Sequence, residues 1–158
     1  MNIKFFLVSV FVLVTLLYWI LPKTKFAQKF RVNIELFYSM NIIGIIFGGV
    51  GIVVSFMWPE LVMERHYFEL ILLPILFVYI YTAMLRKSGG GKDIFDEKQN
   101  LNMMQAAAAT WPMSIFVVFL LYAMYEEGIL SGLVFFPLFL FFSFTFYSVS
   151  TLYFFKKN

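Results

Sequence analysis

The sequence predicts an all-α, polytopic transmembrane helical protein of five spans, and three observations lead there. Of 158 residues, 62% are hydrophobic and 13% charged, whereas a soluble domain carries about a quarter charged residues. The mean hydropathy is +0.87, and a water-soluble fold of this size leaves too much surface wet to hide so much apolar material. Finally, the apolar residues fall into five runs divided by short polar connectors. A segment crossing lipid must satisfy its own backbone hydrogen bonds, so each run reads as a helix.

The runs cover about residues 5–21, 36–58, 68–85, 103–125 and 129–155. Each approaches or exceeds the roughly 20 residues that cross about 30 Å of hydrocarbon. The first follows Lys4, but it is longer than the apolar part of a signal peptide and no small-x-small cleavage site follows. An uncleaved first span is therefore expected. The second ends at Pro59-Glu60, the third at Arg86-Lys87, and the fourth turns into the fifth through Glu126-Glu127-Gly128. Pro74, Pro112 and Pro137 fall within or near the starts of the last three runs. Each removes a backbone donor and tends to bend its helix.

Orientation follows from the cations. Lys23, Lys25, Lys29 and Arg31 fill the first connector; Arg86, Lys87, Lys92 and Lys98 fill the loop at about 86–102; Lys156 and Lys157 close the chain. The other connectors hold Arg65 alone. Basic segments stay on the cytoplasmic side, so the expectation is a multi-pass protein of the cell membrane, N-terminus outside and C-terminus inside. That same placement explains the net charge of +3 without a nucleic-acid partner. The partner that the composition demands is the lipid bilayer.

Within the second run, Gly44, Gly48, Gly51 and Ser55 share one helix face. Missing side chains there let another helix approach closely, either a neighbour of the same chain or a second copy in a homo-oligomer. Asn41 is the clearest polar residue of that run, and Ser143, Tyr147, Ser150 and Thr151 form a polar stripe in the fifth. No Asp, Glu, Lys, Arg or His falls mid-run, although ion-coupled carriers and proton relays normally need one.

Candidate chemistry is sparse. The chain has no Cys and one His, which excludes thiolate sites and any site with two His ligands. Glu60, Glu64, His66 and Glu69 form an acidic cluster on the outer side; two Glu and a His can hold a divalent ion or move a proton, but polar connectors between spans are expected anyway. Glu126-Glu127 lacks the following Arg and the downstream His residues of CAAX-type membrane proteases, with Ser131 in place of the Arg. Gly89-Gly90-Gly91-Lys92 lacks the spacing of a phosphate loop. The expectation is no cofactor, no metal and no enzyme.

The segment from Lys92 to Thr110 is the most distinctive. Asp93 or Asp96 can cap a helix that starts beside Glu97 and runs through Ala106–Ala109 into the membrane. Asp96-Glu97-Lys98-Gln99 and Ala106–Thr110 resemble a loop in several families of small bacterial multi-span membrane proteins of unknown function. There a basic stretch leads through Asp-Glu-Arg/Lys to a polar helix and an Ala-rich span. The resemblance implies two helical hairpins flanking the loop, hence a four-helix core with the first span added. It implies interaction through the loop residues Asp96, Glu97, Lys98 and Gln99. Some relatives look like accessory partners of transporters or of peptide-immunity systems. The expected function is a non-enzymatic accessory, regulatory or immunity component acting through helix association with a membrane partner. The alternative is a small oligomeric transporter or channel for a neutral or amphipathic solute.

Overall fold

The computed structural model describes residues 34–64, 67–87 and 97–157, with positions 9, 12, 13, 16, 17, 20 and 24 before them. Of 34, 63, 64, 79, 82–87, 156 and 157 it describes the backbone alone. The first expected span therefore lies outside the described residues, apart from helical positions at Ser9, Val12, Leu13, Leu16, Leu17 and Ile20. Among the described residues the regular structure is entirely helical.

From residue 34 on, the described elements are four long helices and one short one: α1 (Ile34–Met57), α2 (Pro59–Glu64), α3 (Tyr67–Lys87), α4 (Glu97–Glu126) and α5 (Phe135–Lys157), with a 3-10 turn at Gly132–Val134 before α5. Among the described residues three stretches are long and apolar enough to cross a membrane: Glu35–Met57, Glu97–Glu126 and Gly132–Phe155. In α3 the stretch Tyr67–Val78 is apolar, and of 79 and 82–87 the backbone alone is described.

The helix ends follow local chemistry more closely than hydropathy. α4 starts at Glu97, ahead of the apolar run that begins near 103, with an acidic residue in its first turn where the helix dipole favours negative charge. At 30 residues it is about 45 Å long, more than hydrocarbon requires. Its far end closes as a Schellman motif. Gly128 takes a left-handed φ of 69°, Gly128 N–H donates to the Tyr125 carbonyl at 3.0 Å, and Ile129 N–H donates to the Met124 carbonyl at 2.9 Å. Consequently 129 does not begin a helix. Ser131 caps the 3-10 turn by accepting from Leu133 N–H at 3.4 Å, and α5 follows from Phe135.

α2 lies in what reads from sequence as a plain connector. Pro59 occupies its first helical position, where a missing N–H costs nothing. Val62 then turns inward and packs with Phe68, Ile71, Leu72, Ile75 and Phe141. Pro74 and Pro112 sit inside α3 and α4. Pro137, in contrast, is in the first turn of α5, where it interrupts no helical bond.

Side by side the long helices run α3, α1, α5, α4: α1 packs on α3 and α5, and α5 packs on α1 and α4. At the end where α1 and α4 begin, Phe37, Tyr81, Met103 and Phe155 form one cluster, with one residue from each long helix. Toward the other end, Val117 and Leu121 of α4 pack with Leu130, Val134 and Leu138. Neighbouring helices therefore alternate in direction.

Candidate functional site: the glycine seam and its polar level

The contact between α1 and α5 has a readable register. Phe37 lies against Phe155, with ring centroids 4.8 Å apart. A Cβ on Gly44 would sit 2.5 Å from Ser148 Oγ, and one on Gly51 would sit 2.6 Å from the ring of Phe141. Each step up α1 is a matching step down α5, so the pair is antiparallel. On α1 the residues involved are Phe37, Asn41, Gly44, Gly48, Gly51 and Ser55, alternately four and three apart. That heptad-like spacing is the pattern of left-handed packing at a shallow crossing angle.

The glycines are what allow this closeness. A Cβ on Gly48 would overlap Thr145 Oγ1 and stand 3.3 Å from the Phe141 carbonyl oxygen. Gly49, one residue on, has open space around it. Ser55 is buried and donates to the Gly51 carbonyl at 2.7 Å. Gly44, Gly48 and Gly51 thus stand against α5 of the same chain, and Ser55 continues the same face of α1.

Sequence reading missed the residues that complete the seam on α5. Thr145 and Ser148 face the glycines, whereas the polar stripe expected there was Ser143, Tyr147, Ser150 and Thr151. Thr151 does belong, since it is fully buried. A helix that is apolar all round gives no periodicity from which to pick its buried face; only the register against α1 does so.

Asn41 lies four residues beyond Phe37, and Thr151 four residues before Phe155, which puts them level. Both are 0% exposed. Asn41 Nδ2 donates to the Phe37 carbonyl at 2.9 Å, while Asn41 Oδ1 and Thr151 Oγ1 have no hydrogen-bond partner. Asn102, Thr110 and Ser148 are buried too. Since Met103 clusters with Phe155, these residues share the half of the array nearer the four-residue cluster.

No family model, no curated protein and no solved structure matches this chain.

The remaining sequence candidates are dispersed. Glu97, Lys98 and Gln99 form the first turn of α4, and Asp96 lies outside the described residues. Glu60 is exposed on α2 and Glu69 is half-buried in the first turn of α3. His66 and the Glu64 side chain lie outside the described residues. Among the described residues no three His, Cys, Asp or Glu side chains converge as metal ligands would, and none that is buried is charged.

Proposed function

We propose that the chain is a multi-pass cell-membrane protein that acts by helix association, as an accessory, regulatory or immunity component and without catalysis. Five spans, N-terminus outside and C-terminus cytoplasmic, form a bundle with α1, α3, α4 and α5 as its four-helix core. The observation carrying this reading is the packing of α4. Met103, Ala106, Thr110, Val117 and Leu121 turn inward along one stripe of it, while Trp111, Phe116, Phe119 and Tyr122 point outward. The glycine seam is spent within the chain, and among the described residues α4 is the least covered of the three long apolar stretches, which suits a membrane partner or a second copy. Resemblance of the 92–110 segment to the loop of small bacterial membrane proteins supports the same reading.

Because the chain has no Cys, single cysteines report cleanly. A bifunctional thiol and photo-reactive crosslinker in native membranes is expected to capture a second chain from Phe116→Cys or Phe119→Cys, but not from Leu121→Cys. No captured chain from any position, with neither partner nor self-association in mild detergent, would sink the proposal.

One observation favours a second reading. Asn41, Asn102, Thr110, Ser148 and Thr151 gather in one half of the array, as the lining of a path for a neutral solute would. Against this, the other half is filled by clusters of Phe, Leu, Val and Ile. Solute flux through proteoliposomes would establish a transporter; a tight membrane would dismiss it.

A further inference from the structure

We propose that Asn41 and Thr151 form a buried binding site for one water molecule, which bridges α1 to α5. The two oxygens are the reason. Asn41 Oδ1 can only accept and has no donor. Thr151 Oγ1 can donate or accept, yet it too has no partner. Four described hydroxyls bond back to their own helix, Ser39 to Glu35, Ser55 to Gly51, Thr110 to Ala106 and Thr145 to Phe141, whereas Ser143 Oγ, like Thr151 Oγ1, is buried without a partner. Thr151 does not, so its hydroxyl is left for something outside its own backbone.

Buried polar groups almost always find a partner, and a water joining two of them is the usual means where side chains do not meet directly. Here the water donates to Asn41 Oδ1 and accepts from the Thr151 hydroxyl. Space along the seam is bounded on both sides. The Phe37 and Phe155 rings close one side at 4.8 Å, and the tight Gly44–Ser148 contact closes the other. The two oxygens therefore share one level of the seam, and water is the smallest molecule that can donate to one and accept from the other. A metal cation is a poor occupant, because Ca²⁺ and Mg²⁺ want six or more oxygens, carboxylates among them. Glu35, the nearest described acid along α1, is exposed. The site does not depend on what the protein associates with.

The test uses the full chain in lipid nanodiscs, with asparagine side-chain amides labelled and their magnetisation exchange with water recorded by NMR. A long-lived water cross-peak to the Asn41 amide is expected in the wild type. It is expected to persist in Thr151→Ser, which keeps the hydroxyl, and to be lost in Thr151→Val, which keeps the shape. Absence of the peak in the wild type, or its survival in Thr151→Val, overturns the proposal. Should Thr151→Val fail to fold, cross-peaks from the same water to both Asn41 and Thr151 in the wild type decide the matter.

Discussion

Among the described residues α5 packs most extensively on α1 and α4, and it meets these two by different physics. Toward α1 it presents Phe141, Thr145, Ser148 and Thr151 to a face of glycines and small polar residues. Toward α4 the contact is built from large side chains, Val117 and Leu121 against Leu138 of α5 and against Leu130 and Val134 of the turn before it, flanked by Phe135, Phe139, Phe142 and Phe146. In lipid, apolar side chains gain little from leaving the solvent, so association rests on close packing and on hydrogen bonds. The α1 contact obtains this from backbone proximity. The α4 contact obtains it from many side-chain contacts, each small and together large, and the turn at Gly128 already holds the two helices as neighbours. The seam remote in sequence is therefore the one that needs the closest fit.

If that contrast is right, adding atoms should harm the first contact most and removing atoms the second. Gly51→Val places carbon atoms inside the ring of Phe141, and overpacking of this kind is expected to cost about 3 kcal/mol or more. Denaturation in mixed detergent micelles would measure it; a neutral result would mean that α1 and α5 do not pack as described. Leu121→Ala, which opens a gap between α4 and α5, should cost about 2 kcal/mol, the low end of large-to-small changes because lipid is as apolar as Leu. Smallest of all should be Gly49→Val. No atom lies within 4 Å of a Cβ there, so a change within about 0.5 kcal/mol is expected. Equal effects at Gly49 and Gly51 would erase the distinction between the seam face and the rest of α1.

How much of this the sequence could reveal varied with the kind of signal. Gly44, Gly48, Gly51 and Ser55 were legible because four small residues on one helix face stand out in an apolar run. Their partners on α5 were not, because Thr145 and Ser148 sit among Phe144, Phe146, Tyr147 and Val149 and the helix shows no amphipathic period. The start of α4 at Glu97 was legible from its acidic first turn and not from hydropathy, which reports the solvent around a helix and places the apolar run only from about 103. The Glu126-Glu127-Gly128 turn was visible, since only Gly takes a left-handed φ freely. Whether α1 finds its neighbour in the same chain or in a second copy is a tertiary question, and spacing alone left it open.

The most direct test is a disulfide across that seam in a chain that has no other Cys. With Gly44→Cys and Ser148→Cys together, oxidation in the membrane should give a bridge within one chain, running as a monomer. Moving the second cysteine to Phe141, about 10 Å along the helix, should abolish it. A bridge between 44 and 141 instead, or a dimer-sized product from 44 and 148, would contradict the antiparallel seam on which this account rests.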